Sequence, residues 1–131
     1  MSSILQSTFF IFSRVLGQHY RLAGDTAKAL PYLYTAAVLP MPERSLFQWH
    51  YLYSCLSKLE YARALAEHKT TPLKHFKKGI KLLKKSDCSQ GDPGNQEEKM
   101  KLMKTLETRV KKKEAEAGQK RLAGLTKLMK T

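Results

Sequence analysis

Ile4, Leu5, Phe9, Phe12, Val15, Leu16 and Tyr20 recur near a 3.6-residue period, which predicts a first helix from residue 3 or 4 to 22. Phe10 and Ile11 lie off that stripe, so this helix is apolar around much of its girth and is expected to be buried against neighbours on two sides. Ala23 and Gly24 end it, because glycine accepts the left-handed conformation that closes helices. Asp25 suits the N-cap of a second helix over 26–38, its carboxylate accepting from exposed backbone amides. Pro31 falls inside that helix, beyond the first turn, and predicts a slight kink. Pro40 and Pro42 terminate the unit. In a third helix, over 43–67, Leu46, Trp49, Leu52, Tyr53, Leu56 and Leu59 keep the i, i+3, i+4, i+7 rule. Thr71 as N-cap and Pro72 at the first position open a fourth over 72–85.

Residues 86–96, SDCSQGDPGNQ, hold no large apolar side chain and predict a flexible linker. After it the composition changes to Lys, Glu, Ala, Leu and Met. Met100, Met103, Leu106 and Val110 form one apolar stripe, and Leu122, Leu125, Leu128 and Met129 a second. A Lys-rich amphipathic helix over 97–131 follows, with an interruption expected near Gly118 and Gly124. It serves either as a cap on the preceding helices or as a tail that orders on a partner. The domain plan is thus 1–85, a linker, and a C-terminal helix.

Charge sharpens this division. The 131-residue chain carries 24 Lys/Arg against 11 Asp/Glu, a net of +13. Residues 1–68 hold 6 against 4, and residues 69–131 hold 18 against 7. The excess on the second half points to an acidic partner: nucleic acid, an anionic surface or an acidic protein. Lys74, Lys77, Lys78, Lys81, Lys84 and Lys85 make one basic face of the fourth helix, and Lys111, Lys112 and Lys113 a basic cluster in the last. Two cysteines make neither a disulfide framework nor a zinc cluster. Cys55 reads as a buried thiol and Cys88 as a free one, which fits a reducing, intracellular compartment, cytoplasmic or nuclear. The apolar N-terminus has no basic leader region, and Arg14 interrupts it well short of a membrane span.

The core of the first two helices reads LGQHYRLAGDTAKALPYLYTAAVLP over 16–40. Leu16-Gly17-x-x-Tyr20 is followed by Ala29-x-x-x-Leu33-x-x-Ala36. This resembles one tetratricopeptide repeat, a helix–turn–helix unit of about 34 residues, over 10–42. Gly17, Ala29 and Ala36 are the small residues of a close crossing; Tyr20 and Leu33 are the bulky ones that fill it. The pattern's Trp is Ser13 here, and its closing Pro falls on Met41. Pro72, Phe76 and Gly79 repeat the spacing of Ala29, Leu33 and Ala36, so a degenerate second repeat is expected over 43–85. The resemblance implies an all-α fold of antiparallel helix pairs of α-solenoid type. It also implies a peptide groove formed by the first helix of each repeat. Mapped here, that groove offers Arg14, Gln18 and Arg21 with Lys58 and Tyr61. Gln18 and Lys58 replace the Asn residues of members that clamp a terminal carboxylate, so a general acidic or extended peptide suits the groove better.

No Gly-rich phosphate loop, nucleophile motif or tuned carboxylate pair is present, and His19, His50, His68 and His75 form no i, i+4 metal pair. Catalysis, cofactor and metal are therefore not expected. The leading expectation is a non-catalytic adaptor or subunit of a larger assembly. It binds a protein partner, and self-association remains open because two repeats are fewer than such arrays need alone. The alternative is nonspecific binding of nucleic acid or an anionic surface through the basic half. Lys outnumbers Arg there 16 to 2, whereas base readout favours Arg and aromatics. Membrane contact by the Met/Leu/Lys helix ranks third.

Overall fold

A computed structural model describes residues 3–39, 48–68, 70–86, 88 and 92–130. Those residues form five α-helices: α1 (Ser3–Leu22), α2 (Thr26–Val38), α3 (Gln48–Glu67), α4 (Leu73–Lys85) and α5 (Pro93–Met129). Among the described residues there is no strand, so the molecule is all-helical. Asp25 caps α2 as expected, its carboxylate accepting from the Lys28 N–H at 3.1 Å. Gly24 stands at φ +86°, the left-handed turn that reverses the chain between α1 and α2. α2 runs on through Pro31. Pro40, Pro42 and the expected start of the third helix at residue 43 lie outside the described residues.

The α1–α2 crossing is close because Gly17 permits it. A methyl group at Gly17 would stand 2.6 Å from Leu33 Cγ and 3.1 Å from the Leu33 backbone nitrogen. Ala29 and Ala36 are buried on the facing helix. Gly79 plays the same part in the second pair, where an added Cβ would meet Leu65 Cδ1 at 2.5 Å. Phe76 and Leu83 fill the space around it. One core joins Leu33, Leu59, Tyr61, Leu65, Phe76, Leu83 and Leu106.

Five expectations change. The middle of the regular apolar stripe of α1 faces outward, not inward, while Tyr20 at its end packs against the core. Phe10, Ser13 and Gly17 form the buried side, while Phe9, Phe12 and Val15 are exposed. The reason is the close crossing: the face toward α2 must be narrow, so the bulky stripe lies on the other side. The N-cap of α4 is Pro72, not Thr71. Thr71 instead donates its hydroxyl to the His68 carbonyl at 2.9 Å and meets His68 Nδ1 at 2.7 Å. The linker shortens, since Asp92 caps α5 by accepting from Gly94 N–H at 2.9 Å, with Pro93 in the first turn. α5 then continues through Gly118 and Gly124 as one 37-residue helix.

The fifth change concerns the cysteines. Cys55 and Cys88 form a disulfide with Cα atoms 5.5 Å apart, so Cys88 is neither free nor solvated. α4 returns antiparallel along the last turns of α3, which brings the chain beyond Lys85 back to the level of Cys55. The argument for a reducing compartment from unpaired thiols therefore falls.

Candidate interaction surfaces

The polar residues of α1 meet α3 in two matched ion pairs. Arg14 forks onto Glu60, with Nη2 at 2.8 Å from Oε1 and Nε at 3.1 Å from Oε2. Gln18 Nε2 donates to the same carboxylate at 2.7 Å. Tyr53 supports the guanidinium, its ring centroid 4.9 Å from Arg14 Cζ. The Glu60 side chain is 4% exposed. A carboxylate so far from water needs its full set of charged and amide donors. One heptad on, Arg21 forks onto Glu67 at 2.5 Å. That hydrogen bond raises the Arg21 pKa above its ordinary value. The sequence offset is 46 in both pairs, so α1 and α3 lie parallel and in register.

Of the residues expected to line a peptide groove, Arg14, Gln18 and Arg21 thus stand together, but their donors are taken up by Glu60 and Glu67. Lys58 stands apart from them and donates to Ser54 Oγ at 2.8 Å, one turn back on its own helix. Burial lowers its pKa. Tyr61 is 1% exposed and belongs to the core. Its ring packs on Tyr34 at 5.3 Å, and burial, helped by Tyr34, raises its phenol to a pKa of about 12. An open groove on this face is therefore not what these five side chains build. Glu60 and Glu67 are the residues that the sequence reading passed over. The signal for them was present, because Glu60 and Glu67 are spaced as Arg14 and Arg21 are.

A cleft of about 350 Å³ opens elsewhere, between α2 and the α3–α4 turn. Leu30, Pro31, Tyr34, Leu65, His68 and His75 are among its walls. The turn between α3 and α4 brings the two histidines into one cleft. Partial burial and the neighbouring Lys74 and Lys78 lower the His75 pKa. Among the described residues no group of three or more His, Cys, Asp or Glu is placed to hold a metal ion.

The basic residues divide. Lys74, Lys81, Lys84 and Lys85 are exposed along α4. Lys77 pairs with Glu114 at 3.1 Å, and Lys78 lies 5.3 Å from the Tyr34 ring. On α5, Lys113 donates to the Thr71 carbonyl at 2.9 Å and covers the Phe76 ring, whereas Lys111 and Lys112 are exposed. The basic α4 face and the 111–113 cluster are therefore partly used to hold the fold.

Large apolar side chains are exposed at the end of α5, among them Leu122, Leu125 and Met129, and along one face of α1. Phe12 is 66% exposed, with Phe9, Ile11 and Val15 beside it. Phe9, Phe12, Leu16 and Tyr32 line a shallow groove of about 270 Å³ on the outer side of the α1–α2 pair. Among the described residues no helix is long and apolar enough to cross a membrane. Compared with known proteins, the chain matches no family model, no curated protein and no solved structure.

Proposed function

We propose that this chain is a non-catalytic adaptor or assembly subunit, built on two tetratricopeptide-like helix pairs, that binds a helix or peptide of a protein partner. One observation carries the reading: α1 presents Phe9, Ile11, Phe12 and Val15 to solvent on the face away from the bundle. Contiguous large apolar side chains on one face mark an interaction surface more often than scattered ones do. The parallel, in-register α1 and α3 and the glycine crossings in both pairs support the repeat reading. In a stacked array the outer face of the first helix is where a neighbouring helix lies. The partner expected is accordingly apolar at its contact, in place of the acidic or extended peptide expected of the groove.

The test is a pull-down with the full-length chain, after nuclease treatment and in high salt, comparing it with Phe12→Asp. Phe12 is solvent-exposed, so the variant folds. Protein partners held by the parent chain and lost by Phe12→Asp support the reading; partners held equally by both overturn it.

A second reading, nonspecific binding of a polyanion, is favoured by α4, which has six lysines and no carboxylate in thirteen residues. With about four of them on phosphates, log affinity for duplex DNA should fall against log salt with a slope of about −4. A flat salt dependence removes this reading.

A further inference from the structure

The first half of α5 is built into the bundle. Arg63 pairs with Glu98, Lys99 donates to the Ser86 carbonyl at 2.8 Å, and Leu106 is fully buried. Arg109 donates to the Leu65 carbonyl at 3.2 Å, and Glu114 meets Lys77 at the start of α4. Beyond that point the helix continues for about 24 Å, at 1.5 Å per residue. Every residue from Gln119 to Lys130 is exposed.

This outer segment has a definite pattern. Leu122, Leu125 and Met129 stand at i, i+3 and i+7, the spacing of anchors that enter a groove. Leu125 is 56% and Met129 87% exposed. Lys120, Arg121, Lys127 and Lys130 surround them, and no carboxylate side chain follows Glu116. We propose that residues 115–130 are a docking helix for an acidic protein that closes an apolar groove around them. This inference concerns a different surface from α1 and is independent of the adaptor reading.

Charge selects the occupant. A second copy of this chain carries a net +13 and repels the segment. The angular arrangement then separates a protein groove from a bilayer. At 100° per residue, Arg121 and Lys130 flank the apolar stripe, while Lys120 and Lys127 lie about 170° from its centre. A flat anionic surface that took up the stripe would leave those two lysines on the far side of a helix about 10–12 Å across. That is about one Debye length at physiological salt, where attraction is largely screened. A groove that wraps the helix reaches all four cations. The helix also gains by docking: Gly118 and Gly124 each weaken it by about 1 kcal/mol relative to Ala.

The test titrates calcium-loaded calmodulin, a protein whose grooves are methionine-rich, into the full-length chain and follows binding by fluorescence anisotropy. Parallel arms use calcium-free calmodulin and vesicles of phosphatidylcholine with or without phosphatidylserine. Leu125→Asp removes an anchor, and Lys120→Glu with Lys127→Glu reverses the far-side charge. These positions are exposed, and a urea midpoint equal to the parent's verifies each fold. Calcium-dependent binding tighter than about 10 μM, weakened about tenfold or more by Leu125→Asp and also by the double charge reversal, supports the proposal. No binding at that concentration, binding indifferent to either variant, or binding to anionic vesicles alone overturns it.

Discussion

Arg14 and Arg21 bear the same kind of ion pair one heptad apart, yet they should differ in worth. Arg14→Ala strands the Glu60 carboxylate in a site only 4% exposed. Removing one partner of a buried pair costs about 3 kcal/mol. Arg21→Ala leaves Glu67 46% exposed, and water replaces the lost partner at a cost below about 1 kcal/mol. Urea unfolding of the two variants measures the contrast, and equal losses would contradict the burial argument. Tyr61 supplies a second residue-scale expectation. Its folded-state pKa of about 12 exceeds the unfolded value of 10.0. The contribution of this group to stability is therefore complete below pH 10 and is lost as pH rises toward 12. An ultraviolet titration of the phenols should contain a late step near pH 12, and Tyr61→Phe should remove it. The residue types of the site were legible in the sequence but their use was not. Arg14, Gln18 and Arg21 read as open donors because the partner carboxylates lie 42 and 46 residues away, and helical periodicity says nothing about what faces a helix across a bundle.

At the scale of elements, the helices were legible and their faces less so. α1 ends and α2 begins where Gly24 and Asp25 require, because caps and turns are local chemistry. The outward turn of the α1 stripe was not legible. The hydrophobic pattern marked Phe9, Phe12 and Val15, but Gly17 decided which side meets α2. Linker composition misled in the same way: Asp92-Pro93 is a helix start, and Gly118 and Gly124 are tolerated because a helix tolerates isolated glycines at modest cost. The docking of α5 is the strongest element-scale claim. Leu106 is fully buried beside Gly79, Leu65 and Tyr61. Leu106→Ala should cost about 2–5 kcal/mol, read by thermal or urea unfolding, and a loss below about 1 kcal/mol would show that α5 does not complete the core. For the same reason a chain ended at Lys85 would lack Leu106 and Cys88, and with them part of the core.

For the whole molecule, the disulfide closes a loop across a sequence separation of 33 residues. It ties α3 to the segment that leads into α5, and so joins the two halves that differ in charge. Reduction, or Cys88→Ser, should lower stability by about 2–4 kcal/mol. Urea midpoints with and without reductant measure this, and unchanged midpoints would mean that the bond does not restrain the unfolded chain. Such bonds persist in oxidising surroundings. Sequence alone did not show the pairing, since it depends on how far α4 returns along α3. The charge asymmetry was fully legible, but its distribution was not. Lys77, Lys78 and Lys113 serve the fold, whereas Lys74, Lys81, Lys84 and Lys85 on α4 and cations along the whole of α5, such as Lys101, Lys111, Lys112, Lys120 and Lys127, are exposed.

The proposed partner surface is the uncovered apolar face of α1. Photo-crosslinking tests it most directly, with a photoreactive phenylalanine analogue placed in the full-length chain at position 12 or, as the basic-face counterpart, at position 81. The account expects discrete protein adducts from position 12 that persist in high salt after nuclease treatment. Adducts from position 81 alone, abolished by salt or nuclease, would contradict it.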